Sequence, residues 1–162
     1  MQDYKQKIAI ITPIKHLGLD KLIQSKGEPF YLENGTKEEV RSFLLNNLID
    51  IIICNPNKQE YKIDRELLDG TNVSVINTCS TGLSHIDINY CTNNNIEIYS
   101  LTKDYELINE LPSTSELAFG LMLDLLRNIS ISQDHVIRGG WDYTQFIGRQ
   151  IKDLNIGLIG FG

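Results

Sequence analysis

The sequence predicts an α/β chain whose helices pack on both faces of a parallel sheet. Three observations lead there: short apolar runs with no polar alternation, amphipathic segments between them, and turn or capping residues at the junctions. Lys7-Ile8-Ala9-Ile10-Ile11-Thr12 is the first run, and it reads as a strand buried on both faces. Pro13 ends it. Leu17–Lys26 has helical spacing, with Leu19, Leu22 and Ile23 on one side and Gly27 as the stop. Pro29-Phe30-Tyr31-Leu32 is a short second strand.

Thr36-Lys37-Glu38-Glu39 matches a capping box, in which the Thr36 hydroxyl accepts from the Glu39 amide and the Glu39 carboxylate reaches back. Val40, Phe43, Leu44 and Leu48 then recur at helical spacing. Ile49–Ile53 is a third strand, followed by the loop Cys54-Asn55-Pro56-Asn57. Asp64 can cap a short helix through Leu67 and Leu68 that Gly70 ends. Val73–Ile76 is a fourth strand, Asp87 can cap a helix through Tyr90 and Cys91, and Ile96–Tyr99 is a fifth strand. Right-handed crossovers leave few topologies. The expected one is a flavodoxin-like, doubly wound sheet in the order 2-1-3-4-5. In such sheets ligands sit beyond the carboxyl ends of the strands, here the loops Pro13–Gly18, Cys54–Asn57 and Thr78–Asp87.

The pattern changes after Tyr99. Leu101–Leu111 is a polar connector with room for a helical turn, and Asp104, Glu106 and Glu110 in it are expected to be solvated. Ser113-Thr114-Ser115-Glu116 is a second capping box, opening a helix from about Thr114 to Asn128. Leu117, Phe119, Leu121, Met122, Leu123, Leu125 and Leu126 cover most of its circumference. That predicts burial on several sides, as a helix joining two domains or lying in a dimer interface. The expected division is a sheet domain over 1–106, then this helix and the start of a second domain over 107–162.

Composition narrows the function. The net charge of −6 at pH 7 argues against a nucleic-acid or anionic-membrane surface. No apolar stretch reaches the length of about 18 residues that a membrane span needs, and the polar start Met1–Lys5 gives no secretory signal, so a cytoplasmic setting is the expectation. Cys54, Cys79 and Cys91 form no CxxC pair and read as reduced thiols, not as a disulfide framework or a metal site. His16 and His135 read as surface groups, His85 as a loop hydrogen-bonding residue, and Trp141 as a packing anchor.

Leu154-Asn155-Ile156-Gly157-Leu158-Ile159 runs into Gly160-Phe161-Gly162. A buried strand followed by G-x-G is how a dinucleotide-binding fingerprint begins: the first glycine makes the tight turn and the second admits the pyrophosphate. The third glycine, and the helix that would face the phosphates, lie beyond the sequence.

Ordered blocks extend this signal. Val73–Asp87, with Cys79-Ser80-Thr81-Gly82-Leu83 and Ile86-Asp87, resembles the strand, glycine loop and helix start of the D-isomer-specific 2-hydroxyacid dehydrogenases, the family of phosphoglycerate, glycerate and formate dehydrogenases. Cys91–Ile98 is similar to the next helix and strand of that family, and Ser115-Glu116 through Arg127 to its interdomain helix. Ile137–Trp141 is similar to its G-x-W region, and Gly148–Ile151 with Leu154–Gly162 to the entry of its Rossmann half. Residues 1–72 match only in strand and helix pattern.

The resemblance implies roles. The backbone amides near Thr81, Gly82 and Leu83 would hold a substrate carboxylate, as a nest of N–H groups can. Asn55 and Asn57 would touch substrate, at a loop that often carries a basic residue in the family; its absence here makes a phosphorylated substrate less expected. Thr114 would lie near the nicotinamide, and Gly160 and Gly162 at the cofactor phosphates. The family's catalytic arginine, carboxylate and histidine fall after the fingerprint, so no catalytic residue is expected in this chain.

The implied activity is interconversion of a small 2-oxo acid and a D-2-hydroxy acid by hydride transfer with NAD or NADP, NAD being favoured, in a protein that is a homodimer at full length. The 162-residue chain alone is expected to be inactive. The alternative is a non-catalytic NAD-sensing or corepressor-like dimeric protein on the same fold, because fold does not fix function.

Overall fold

The computed structural model describes residues 4–56 and 60–160. By internal contacts the chain divides into two compact units, Met1–Ile108 and Asn109–Gly162.

Unit 1 is an α/β layer structure. Its strands are β1 (Lys7–Ile10), β2 (Glu28–Tyr31), β3 (Ile51–Cys54), β4 (Val75–Thr78) and β5 (Glu97–Tyr99). All pair in parallel in the order β2-β1-β3-β4-β5, as the sequence predicts. The register sets Ile10 beside Ile53 and Cys54 beside Thr78, so the ends of β3 and β4 are neighbours.

Between the strands lie α1 (Asp20–Lys26), α2 (Lys37–Asn47), α3 (Arg65–Leu68) and α4 (Ile88–Asn93). Three of the four begin at the cap read from sequence. Thr36 and Glu39 close a full capping box on α2, Asp64 accepts from the Leu67 amide, and Asp87 from the Tyr90 amide. Each such cap is worth about 1 kcal/mol. α1 is shorter than predicted: residues 15–17 form a separate 3-10 turn closed at Gly18, and the α-helix starts at Asp20. Gly27 follows it in extended backbone, and only glycine fits there because a Cβ would clash with the Gln6 carbonyl oxygen.

Alternate strand residues feed two apolar clusters. Ala9, Ile52, Cys54 and Ile76 point to the face covered by α2 and α3, where Val40, Leu44 and Leu67 are fully buried. Burying each such aliphatic side chain contributes about 1.5–3 kcal/mol. Ile8 and Ile10 point to the other face, against Ile14 and Ile23. That second layer thins toward the far edge, where Asn77, Glu97 and Tyr99 are exposed.

The amino end of β3 is held by a buried acid. The Asp50 carboxylate accepts from the Lys7 amide, the Asn72 side-chain amide and the Tyr4 hydroxyl, each at 2.8 Å. Three donors converging on one carboxylate tie the start of β1 to the turn before β4.

After β5 come a 3-10 turn at Leu101–Lys103 and α5 (Tyr105–Asn109), so the predicted connector carries more helix than one turn. Asp104, Glu106 and Glu110 are exposed.

Unit 2 holds α6 (Ser113–Arg127) and α7 (Ile129–Ile137), joined through Asn128 in the left-handed conformation. Asp124 caps the second helix, accepting from the Ser130 amide and hydroxyl at 2.6 Å. The chain then folds back, with the His135 and Phe146 rings 5.1 Å apart and the Arg149 amide donating to the Leu126 carbonyl.

Several expectations for this unit fail. The second capping box does not form: α6 starts one residue early at Ser113, no side chain caps it, and the Ser115 hydroxyl bonds the Pro112 carbonyl instead. The predicted burial of the helix concerns a second domain or a second copy; within the described residues its apolar face is uncovered. Leu117, Phe119, Leu121 and Leu125 are 56–82% exposed, because no other element among the described residues covers that face. Trp141 is 90% exposed and anchors nothing. Residues 154–159 form no strand, and Ile156, Leu158 and Ile159 face solvent. A strand needs a neighbour for its backbone groups, and the described residues give this segment none.

Replacing Asp50 by alanine strands those three donors. Urea denaturation is expected to show a loss of about 1–3 kcal/mol; an unchanged midpoint would show that water replaces the carboxylate at no cost.

Candidate functional site

The carboxyl ends of β3 and β4 run into adjacent loops, stitched where the Cys79 amide donates to the Cys54 carbonyl at 2.9 Å. The sequence-predicted residues Asn55, Thr81, Gly82 and Leu83 all lie in these two loops. Asn57 falls outside the described residues.

The carbonyls of Cys79 through Leu83 are each engaged. The Asn55 side-chain amide donates to the Cys79 carbonyl at 3.2 Å, and the Leu101 amide to the Ser80 carbonyl at 3.2 Å. The Thr102 hydroxyl donates to the Thr81 carbonyl at 2.6 Å, and the Ser80 hydroxyl to the Gly82 carbonyl at 2.9 Å. The Leu83 carbonyl accepts from the Ile86 amide at 3.0 Å. By contrast, the amides of Ser80, Thr81, Gly82 and Leu83 meet no acceptor among the described residues.

The two facts are linked by the planar trans peptide, in which a carbonyl and the following N–H point in opposite directions. Pinning the carbonyls of Cys79, Ser80, Thr81 and Gly82 turns the amides of Ser80, Thr81, Gly82 and Leu83 away from those partners. Thr81 and Gly82 are exposed and Leu83 is half-buried, so the amides stand at the surface. A run of unspent backbone donors carries fixed partial positive charge and suits an anion with several acceptor oxygens.

Thr102 was missed in the sequence because it sits in the connector, with no motif around it. Its role is visible only once β5 has brought residues 101–102 back beside the loop. Thr78 and Ser80 lie within the recognised glycine loop but were given no role, because their side-chain contacts depend on the fold.

Beneath the loop, His85 is 9% exposed. Its Nε2 lies 3.0 Å from the Thr78 hydroxyl and 3.6 Å from Cys54 Sγ, and its Nδ1 is buried with no partner. Burial lowers its pKa below the ordinary value of 6.5 and so favours the neutral ring. Its backbone carbonyl also accepts from the Ile63 amide, and the Asp87 amide returns to the Ile63 carbonyl. The predicted loop hydrogen bonding is present, in a more buried place than the sequence suggested.

The thiols nearby are not poised to react. Burial pushes the Cys54 thiol up to about 12 and the Cys91 thiol up to about 11, and raises Cys79 as well. All three are free. Among the described residues no three His, Cys, Asp or Glu side chains cluster to hold a metal ion.

The residues assigned to a dinucleotide are less assembled. Thr114 is an exposed residue in the first turn of α6. Gly160 has φ +84 with open space around its Cβ position, but no strand leads into it. Gly162 lies outside the described residues. A cavity of about 720 Å³ in unit 2, lined in part by Arg127, His135, Trp141 and Phe146, contains none of the predicted site residues.

Comparison with known proteins supplies the family. The profile for the D-isomer specific 2-hydroxyacid dehydrogenase catalytic domain matches residues 8–106. The chain belongs to this family. The match takes in residues 8–72, where individual residues had carried no resemblance. A D-3-phosphoglycerate dehydrogenase of Methanocaldococcus jannaschii is 26% identical over 157 residues, covering 96% of this chain and 28% of that protein.

Among solved structures, an NAD-dependent formate dehydrogenase from Staphylococcus aureus in complex with NAD superposes with a TM-score of 0.70 at 24% identity. That likeness covers 87% of this chain and 44% of the other. An acyclic imino acid reductase in complex with NADPH and D-Arg gives 0.67 at 20% identity, covering 90% and 46%. At these identities the likeness shows the fold. The chain spans 28–48% of the length of the first curated relatives it matches. No described helix is long and apolar enough to cross a membrane.

The lowered pKa of His85 gives a signed expectation. The unfolded chain takes up a proton near pH 6.5 and the folded chain only at lower pH. Stability should therefore be full above about 6.5 and decline as the pH falls from there toward the folded value. Thermal melts from pH 8 to pH 5 of the wild type and of His85→Gln test this: the variant should lose part of the decline, and identical profiles would reject the assignment.

Proposed function

We propose that this chain supplies the substrate-carboxylate grip of an NAD(P)-dependent oxidoreductase that interconverts a small 2-oxo acid and a D-2-hydroxy acid. One observation carries the reading: consecutive amides at Ser80–Leu83 with no acceptor among the described residues, where the carbonyls of Cys79–Gly82 are each bonded. A carboxylate has two oxygens and about four lone-pair sites, and it is the group common to every substrate of this class. Asn55 is committed to the Cys79 carbonyl, so its part is to shape the loop, and Asn57 is assigned to substrate by family resemblance alone.

This chain's residues bind and orient. The amides fix the carboxylate, and the adjacent carbon of the acid then lies at a set distance from the loop. Hydride transfer itself is the chemistry of the nicotinamide, with NAD favoured over NADP. Thr114, Gly160 and Gly162 are assigned to that nucleotide in the whole protein. The acid-base group is assigned to sequence beyond Gly162. A homodimer is the proposed assembly, with the apolar face of α6 covered by the second copy.

Two experiments test this. The whole protein, incubated with NADH or NADPH and glyoxylate, hydroxypyruvate or pyruvate, should oxidise the nucleotide; silence with all six combinations would favour the non-catalytic, NAD-sensing alternative. Thr102→Val frees the Thr81 carbonyl at a cost of about 1 kcal/mol, so KM for the oxo acid should rise about fivefold with kcat little changed. An unchanged KM would place the carboxylate elsewhere. The 162-residue chain alone should show no binding of NAD at micromolar concentration by calorimetry.

A further inference from the structure

A chain of hydroxyl groups runs from the buried ring of His85 to the loop surface. His85 Nε2 lies 3.0 Å from Thr78 Oγ1, Thr78 Oγ1 lies 2.8 Å from Ser80 Oγ, and Ser80 Oγ lies 2.9 Å from the Gly82 carbonyl oxygen. Its direction follows from counting protons. A carbonyl only accepts, so the Ser80 hydrogen is spent on Gly82. The Thr78–Ser80 contact then needs the Thr78 hydrogen. Thr78 Oγ1 has no hydrogen left for the imidazole and must accept, so His85 carries its proton on Nε2. The bare Nδ1 is the ring atom that the structure leaves buried and without a partner.

We infer that His85, Thr78 and Ser80 are positioning residues, a one-way hydrogen-bond chain that holds the Gly82 carbonyl inward and so aims the Leu83 amide outward. The consequence rests on the planar peptide between Gly82 and Leu83. The Gly82 carbonyl is held by Ser80, which is linked in turn to the buried Thr78 and His85. The carbonyls of Cys79, Ser80 and Thr81 are bonded by Asn55, Leu101 and Thr102. Thr78 is 1% exposed and His85 9%, so water does not readily replace either link. The neutral ring suits the role: its single proton goes to Thr78 Oγ1 at 3.0 Å, the nearer and stronger acceptor, Cys54 Sγ lying at 3.6 Å.

As a site statement this rests on the carboxylate grip proposed above, and the two can fail separately. The measurement is nitrogen-resolved NMR of the 162-residue chain. Wild-type His85 should be the neutral Nε2–H tautomer at pH 7.5. The residual dipolar coupling of the Leu83 N–H should change in Thr78→Val and Ser80→Ala and return in Thr78→Ser, while couplings in β3 and β4 hold still in all three.

A protein merely loosened by the substitutions would move the strand couplings too, or would not be rescued by serine. An Nδ1–H tautomer, or a Leu83 coupling unchanged in both variants, overturns the positioning chain. Titration with glyoxylate forms the second arm. It should shift the Thr81, Gly82 and Leu83 amides of the wild type and bind both variants about fivefold more weakly. No shift in the wild type sinks the carboxylate grip, and the tautomer and couplings still decide the positioning chain.

Discussion

The site depends on a backbone constraint more than on any side chain. A trans peptide cannot turn its carbonyl inward without turning the next amide outward. In the loop after β4 four successive carbonyls are taken up by four different partners: Asn55, the Leu101 amide, Thr102 and Ser80. None of the four is a charged group. The loop acquires its character as a donor surface because its acceptors have been used up, and the parallel sheet makes this possible by bringing residues from β3, β4 and the turn after β5 to one end.

That origin shapes the electrostatics. Residues 54–56 and 79–87 carry no arginine or lysine, Lys62 standing farther along the connection from β3, and the buried histidine and the Cys54 thiol beneath them are neutral. Attraction for an anion comes from oriented dipoles at short range. Such a grip is less sensitive to salt than one built on exposed cations, whose reach is cut by the Debye length of about 8 Å at physiological ionic strength. It also discriminates by shape, since each amide has a fixed direction. Selectivity among acids then falls to whatever surrounds the remainder of the molecule.

The sheet was legible because its signals are local. Ile51–Ile53 and Val75–Ile76 are apolar runs that need a sheet to bury them, and Thr36, Asp64 and Asp87 each sit where a helix must start. The loop was legible through its glycine and its resemblance to a family. What the sequence hid was tertiary. Thr102 lies twenty-one residues from its carbonyl partner, and nothing in its neighbourhood marks it. Ser113 and Glu116 fit a capping box, but Pro112 already occupies the cap position and moves the start of the helix. Residues 154–159 carry the composition of a buried strand, and composition does not reveal whether a neighbouring strand is present to receive it.

That last segment has a consequence for handling the molecule. Ile156, Leu158 and Ile159 sit on backbone that no ladder satisfies, and Leu117, Phe119, Leu121 and Leu125 add an uncovered greasy stripe on α6. Any extended peptide that lies alongside 154–159 gains both apolar contact and ladder bonds. The liability is colloidal, not conformational: unit 1 has its own buried core, so the chain can precipitate with its sheet intact. Detergent or an added charge at Leu158 addresses that stickiness without touching the carboxylate loop.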